Sequence, residues 1–144
     1  MKMNLIWSEE VSAQLARIAD LDTIAPEMLT AAAPIATDAL KQRVGEHKSN
    51  RADKHLVNSV EAGKPKKRKR GDGYGLDVSF SGYDSGHGSS PKHKDKVAQM
   101  QKAVALEYGT ATQPAQPFLD RAASDCQRAV SAAMEDVLRK RGKL

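Results

Sequence analysis

The feature that most constrains the fold is a run of seven residues, 74–80, in which large apolar side chains alternate with small or polar ones. The large members are Tyr74, Leu76, Val78 and Phe80. Successive side chains of a strand point to opposite faces, so this pattern predicts a β-strand with one buried face. Such a strand is stable only when other strands pair with it and another layer covers its apolar face. The chain is therefore expected to form a sheet packed by helices.

Two other segments are candidates for the partner strands. Residues 56–62 (LVNSVEA) predict a strand with Leu56 and Val60 on one face, and residues 3–7 (MNLIW) predict a short edge strand. The basic run KPKKRKR at 64–70 lies between the segment 56–62 and the alternating strand at 74–80. The simplest topology is a long antiparallel hairpin that carries the basic residues at its tip.

In the N-terminal third, apolar spacing predicts two helices. The first is a short amphipathic helix over 8–19, and the second covers residues 23–44 and stops at Gly45. Pro26 lies near the start of the second helix, where its missing N–H is harmless. Pro34 lies in the middle, so a kink or a break is expected near Ala33.

The C-terminal third also predicts two helices. Residues 95–108 fit a helix capped near Asp95, with one apolar face that comprises Val97, Met100, Val104 and Tyr108. Pro117 is expected to open the last helix at its first turn. The apolar stripe of that helix comprises Phe118, Ala122, Cys126, Ala129, Val130, Ala133, Val137 and Leu138.

These elements predict a single α+β domain over residues 1–144, a small antiparallel sheet with a long basic-tipped hairpin, packed by N-terminal and C-terminal helices. Flexible loops are expected near 46–55, 63–73 and 81–94, where polar, Gly and Ser residues concentrate. Aromatic residues make up only 4% of the chain, so the core consists mainly of aliphatic side chains. A core this light favours completion by neighbouring copies.

The basic run carries six positive side chains: Lys64, Lys66, Lys67, Arg68, Lys69 and Arg70. Without them the chain has 17 basic and 18 acidic residues, so the remainder is nearly neutral. Three interpretations stay open: a solvated hairpin tip, a contact with DNA phosphates or an acidic partner, and a nuclear localisation signal. No aromatic residue interrupts the run, which argues against stacking on bases.

Patterns typical of enzymes, metal sites and membrane proteins are missing from the sequence. The GDGYG segment at 71–75 precedes a strand rather than a helix, and so predicts a turn instead of a phosphate-binding loop. Cys126 is the only cysteine and lies on an apolar stripe, which predicts a buried structural side chain. The four histidines, at 47, 55, 87 and 93, form no metal-binding pair. We therefore expect that the chain is not an enzyme and binds no cofactor or metal. We also expect that it has no signal peptide and no membrane span.

One segment, VALEYGTATQPAQPFLDR at 104–121, resembles the signature of the head–tail joining (minor tail, tail-completion) family of long-tailed bacteriophages. The matching residues are Leu106, Glu107, Tyr108, Gly109, Thr110, Pro114, Ala115, Pro117, Phe118 and Leu119. In outline the resemblance extends over residues 20–140, with a Leu-x-x-Ser-Val-like strand at 56–60. The sequence departs from the family at 46–56, which lacks its Pro, Thr and Gly, and at 81–95, where the loop is longer.

This resemblance implies a structural virion protein, assembled in the host cytoplasm, that forms a ring at the neck or tail end around the DNA channel. A hexamer is implied, with neck, connector and tail-tube proteins as neighbours. Gly109 would end one helix, and Pro114 and Pro117 would set the angle at which the last helix leaves. The alternative is a DNA-binding accessory protein that uses the basic run 64–70 directly.

Overall fold

The structure is a computed structural model that describes residues 1–5, 21–46, 56–70, 73–85 and 96–142. Its elements, in chain order, are β1 (Met3–Leu5), α1 (Leu21–Gly45), a 3-10 helix (Leu56–Ser59), β2 (Val60–Ala62), β3 (Lys66–Lys67), β4 (Tyr74–Phe80), β5 (Tyr83–Ser85), β6 (Lys96–Ala98), α2 (Gln99–Tyr108) and α3 (Leu119–Gly142). The α+β prediction is confirmed. The helix predicted over 8–19 and nearly all of the loop at 46–55 lie outside the described residues.

The alternating segment forms β4, the central strand of the main sheet. β1 pairs antiparallel with one edge of β4, and β2 and β3 pair antiparallel with the other. Leu76, Val78 and Phe80 are buried, so the predicted apolar face is confirmed. The predicted basic-tipped hairpin is also confirmed, because the run 64–70 connects β2 to β4.

The strand predicted over 56–62 is wrong for its first four residues, which form the 3-10 helix. The Ser59 hydroxyl donates a hydrogen bond of 2.7 Å to the carbonyl of Leu56, and Ser59 is itself buried. Such local hydrogen bonds from Ser side chains compete with strand pairing. Strand structure begins only at Val60, opposite Phe80.

Helix α1 continues through Pro34 without the predicted break. Pro34 is exposed, whereas its neighbours Ala32, Ala33 and Ala36 are buried. Packing of this small-residue face against the rest of the core holds the backbone helical where propensity alone disfavours it. The Thr37 hydroxyl also donates a hydrogen bond of 2.8 Å to the Ala33 carbonyl at this point.

Helix α3 runs antiparallel to α1, and ion pairs join both ends. Near the start of α3, Asp125 accepts two hydrogen bonds from Arg43, at 2.5 and 2.9 Å. Near its end, the Nε atom of Arg141 lies 3.1 Å from the Oε2 atom of Glu27. The buried seam of α3 comprises Ala122, Cys126, Val130, Met134 and Leu138.

This seam confirms most of the predicted stripe, including a buried Cys126, and corrects part of it. Ala129 is exposed, Ala133 and Val137 are half-buried, and the buried Met134 was not predicted. A spacing of four residues places Cys126, Val130 and Met134 on one side, and α1 covers only that narrow side.

The Arg43–Asp125 pair predicts a pH-dependent contribution to stability. Hydrogen bonds from Arg43 hold the pKa of the Asp125 carboxyl below its ordinary value of 3.8. A carboxyl with a lowered pKa in the folded chain stabilises the fold above its ordinary pKa, and this effect is lost as the pH falls through the folded-state value. We expect Asp125→Asn to lower the free energy of unfolding at about pH 7 but not at about pH 2. Urea unfolding at both pH values measures this, and an equal loss at both would contradict it.

The loop predicted over 81–94 contains a strand. Tyr83–Ser85 pairs antiparallel with Lys96–Ala98, which shortens the helix predicted from residue 95, so that α2 begins at Gln99. The predicted cap at Asp95 is therefore wrong: Ala98, in extended conformation, precedes the helix, and no side chain caps it. The Gln99 N–H donates instead to the carbonyl of Gly82, at 3.0 Å.

Among the described residues, no helix has the length and apolar composition needed to cross a membrane. Within the same ranges, no three His, Cys, Asp or Glu side chains cluster as metal ligands do. All four histidines lie outside these ranges.

Candidate functional site

Helix α2 buries a different face from the predicted one. Its buried residues are Gln99, Ala103 and Glu107, whereas the side chain of Val104 is 37% exposed and that of Tyr108 is 69% exposed. The two faces differ by one residue, a rotation of about 100°. Apolar spacing alone favours the wrong face, because the contact that orients α2 is made by the polar Glu107.

The Glu107 carboxylate caps the start of α3. Its Oε2 atom accepts hydrogen bonds from the backbone N–H groups of Phe118, at 2.8 Å, and Leu119, at 3.1 Å. The first N–H groups of a helix have no partner within the helix, and its N-terminus carries a partial positive charge. A buried carboxylate from another helix satisfies both requirements and locks α2 to α3.

Gly109 ends α2 in a conformation that favours glycine. Its φ is 78° and its ψ is 174°, and its N–H donates to the Ala105 carbonyl at 2.9 Å. The helix ends at Gly109 as expected; its φ is positive, and its extended ψ lies outside the left-handed helical region. A Cβ at this position would lie 2.7 Å from the Ala115 nitrogen and 2.9 Å from the Gln113 oxygen. The backbone of the linker therefore occupies the space of a side chain.

The linker after Gly109 folds back onto α2. The Thr110 N–H donates a hydrogen bond of 2.8 Å to the Gln113 carbonyl. The Gln113 N–H in turn donates one of 3.1 Å to the Thr110 hydroxyl. The Gln116 N–H donates to the Leu106 carbonyl at 2.8 Å. Together with the Glu107 cap, these bonds define the bend, residues 106–119.

The remaining signature residues complete the bend. Phe118 is 1% exposed and packs edge-to-face against Phe80, with ring centroids 5.9 Å apart. Leu119 is partly buried against the core. Pro114 and Pro117 are exposed. Since α3 begins at Leu119, Pro117 precedes the helix and does not occupy its first turn as predicted.

The six basic residues lie at the other end of β4. Lys66 and Lys67 pair with Gly75 and Tyr74, and the Arg68 N–H donates to the Gly73 carbonyl at 3.0 Å. All six side chains belong to exposed residues. The bend packs on Phe80, so the length of β4, roughly 20 Å, separates the two sets of predicted site residues.

A β-bulge divides the basic residues between the two faces of the hairpin. The Gly63 N–H donates to the Asp77 carbonyl, whereas Lys66 is already opposite Gly75, so Lys64 and Pro65 both lie opposite Leu76. Cross-strand partners share a face. Lys66 and Arg68 therefore share the outer face with Asp77, and Lys67 shares the inner face with Tyr74.

Both faces of the hairpin base are anchored. On the outer face, Asp77 accepts hydrogen bonds from Asn4, at 2.7 Å, and Lys2, at 3.1 Å, and these hold the pKa of its carboxyl below the ordinary value. On the inner face, the Tyr74 hydroxyl donates to the Asp22 carboxylate, which raises the pKa of Tyr74. The base of the hairpin is thus tied to β1 and to α1.

Open grooves flank both edges of the sheet. One, of about 580 Å³, lies between α1 and β2 and includes Val60 and Pro65. The other, of about 520 Å³, lies between β1 and α3 and includes Leu5 and Val130. No described strand pairs with the outer side of β1 or of β2. Edge strands of this kind are surfaces on which another chain can pair.

No protein-family model, curated protein or solved structure matches this chain. The described chain is thus an α+β domain with a hydrogen-bonded bend between α2 and α3, two exposed apolar side chains on α2 and a basic hairpin.

Proposed function

We propose that the chain is a structural virion protein of a tailed bacteriophage, which forms a homo-oligomeric ring at the head–tail interface around the DNA channel. In this proposal it is a neck, tail-completion or tail-terminator subunit. The resemblance of residues 106–119 to the head–tail joining family supports it. The observation that carries it is that most of these residues build one rigid bend, from the Glu107 cap to the buried Phe118.

The bend matters for a ring because every subunit repeats the same angles. In a closed ring each interface joins two different patches of the same chain, and an angular error accumulates around the closure. A cap, a glycine without space for a side chain and a folded linker together fix the angle between α2 and α3. Rigidity at this point is what ring closure requires.

The candidate contact surface is the apolar stripe of α2, which comprises the exposed Val104 and Tyr108 and the half-buried Met100, itself packed partly against the core. Val104 and Tyr108 are exposed, although they lie at helical spacing on one side. Exposed aromatic and aliphatic side chains of this kind are enriched at interfaces between proteins. The open sheet edges provide a second type of surface on the same chain. A neighbouring copy that covers the stripe would complete the light core.

The neighbours proposed for the ring are further copies of this chain, six in total, together with neck, connector and tail-tube proteins. The ring would be located in the virion after assembly in the host cytoplasm. Its function would be to join and to seal, with no catalytic step and no cofactor.

The test is self-association of the purified full-length chain. We expect sedimentation velocity and negative-stain imaging to show rings, alone or on purified heads or tails. Val104→Gln with Tyr108→Gln should raise the self-association constant Kd at least about tenfold, since both replace apolar contact area by polar groups. Gln42→Ala, at an exposed position of α1 and away from the stripe, is the control. A chain that stays monomeric and never joins particles would refute the proposal.

A further inference from the structure

We propose that the basic hairpin inserts into the major groove of duplex DNA and contacts phosphates on both walls of the groove. This deepens the DNA-channel part of the proposed function by naming the contact, and it rests on the hairpin geometry rather than on ring formation. The basic ribbon is defined here as residues 64–70 with their strand partners 73–75.

The first argument is that the basic ribbon is positive on two faces. The β-bulge at Lys64 and Pro65 places Lys66 and Arg68 on the outer face. Lys64, opposite the buried Leu76 and beside the groove between α1 and β2, lies on the inner face with Lys67. An acidic protein surface presents negative charge to one side of a ribbon. The walls of a DNA groove present phosphates to both sides, and so match a ribbon that is basic on both faces.

The second argument is shape. Within the described residues, β1 pairs with β4 as far as Leu76, and β2 ends at Ala62, opposite Val78. Beyond these positions β3 is the strand that continues beside β4 in the part of the chain that the structure describes, so the basic residues are on a two-stranded end of the described sheet. The major groove of B-DNA, about 12 Å wide, admits a two-stranded ribbon, whereas the minor groove, about 6 Å wide, is too narrow.

The third argument is charge balance at the ribbon. Asp77, on the outer face at the ribbon base, is already paired with Lys2 and Asn4, and Asp22, against the inner face, already accepts a hydrogen bond from the Tyr74 hydroxyl. No aromatic residue is present in the run 64–70 on which single-stranded bases would stack. Phosphate contact with duplex DNA is therefore favoured over binding of single strands, and it is expected to be independent of base sequence.

The proposal is tested by measuring the affinity for a duplex of about 20 base pairs by fluorescence anisotropy at several salt concentrations. The slope of log K against log salt is about −0.9 per phosphate neutralised, so six contacts give a slope of about −5. We expect Lys66→Gln with Arg68→Gln, and separately Lys64→Gln with Lys67→Gln, each to make the slope shallower by about 1.8. Arg121→Gln with Arg128→Gln removes two exposed charges from α3 and is the control with an unchanged slope.

The groove is identified with a second duplex that carries bulky groups at the C5 position of its pyrimidines, which fill the major groove. We expect at least about tenfold weaker binding to it, and no competition from a small minor-groove ligand. The proposal is overturned if only one of the two ribbon pairs alters the slope, if single strands bind as tightly as the duplex, or if polyglutamate displaces the protein from DNA while the bulky groups have no effect. The Val104→Gln, Tyr108→Gln variant separates the two proposals, because it should keep the salt slope per chain whether or not rings form.

Discussion

Replacing Gly109 with alanine is expected to lower the free energy of unfolding by roughly 2–4 kcal/mol. At a φ of 78° and a ψ of 174° the backbone is in a region that is essentially reserved for glycine, and occupying it with another residue costs about 1–3 kcal/mol. The added Cβ would also meet backbone atoms of Ala115 and Gln113 at 2.7 and 2.9 Å. Backbone atoms held by the linker hydrogen bonds cannot move aside as the end of a flexible side chain can.

Gly82 provides the matched control for this substitution. Its φ is 81°, close to that of Gly109, but a Cβ at Gly82 would have nothing within 4 Å. Gly82→Ala is therefore expected to cost only about 1 kcal/mol, for the positive φ alone. Urea unfolding followed by circular dichroism measures both. Equal losses for the two variants would show that the linker backbone does not restrict residue 109.

Replacing Glu107 with alanine is also expected to lower the free energy of unfolding by roughly 2–4 kcal/mol. The carboxylate accepts from the N–H groups of Phe118 and Leu119, and alanine would leave both without that acceptor in a buried setting. An unsatisfied buried N–H costs about 1–3 kcal/mol. The favourable charge at the N-terminus of α3 would be lost as well.

Two further variants separate the cap from other effects of this substitution. Glu107→Gln keeps an oxygen acceptor in nearly the same place and removes only the charge, so a loss of about 1 kcal/mol is expected. Glu61→Gln, at an exposed position of β2, should change stability by less than about 0.5 kcal/mol. The cap assignment fails if Glu107→Ala is no more destabilising than Glu107→Gln.

Gly109→Ala and Glu107→Ala are also expected to affect assembly of the proposed ring. They act on the angle between α2 and α3, so a variant that still folds at low temperature is expected to form rings poorly. Stability and assembly can be measured on the same samples. Gly82→Ala, outside the bend, is expected to leave assembly intact.

The strand and its hairpin were predictable because their signals are local. Alternation in Tyr74, Leu76, Val78 and Phe80 reflects the geometry of any strand with one buried face, and it does not depend on which element covers that face. The seam of α3 was largely predictable for a similar reason, since its spacing of four residues repeats four times between Ala122 and Leu138. The burial of Phe118 was predictable because it belongs to the apolar stripe predicted for the last helix.

The orientation of α2 was not predictable. Its apolar residues Met100, Val104 and Tyr108 have the spacing of a core face, and spacing alone assigns them to the interior. In the structure the buried face of α2 is shifted by one residue, because the buried Glu107 must reach the N–H groups at the start of α3. A requirement imposed by another helix, eleven residues later in the chain, leaves no periodic signal.

The features that could be predicted from the sequence are local ones: the central strand, the basic hairpin, the long helices and the glycine at which α2 ends. These follow from side-chain alternation, charge and backbone freedom, which act within a few residues. Four features became known only from the structure: α1 continues through Pro34, residues 56–59 form a 3-10 helix, α2 buries the face with Glu107, and a bulge divides the basic residues between two faces. The 3-10 helix rests on the local hydrogen bond from Ser59 to Leu56, which competes with strand pairing. The other three depend on hydrogen bonds and packing between segments that are distant in the chain, and the free energy of those contacts outweighs local preference.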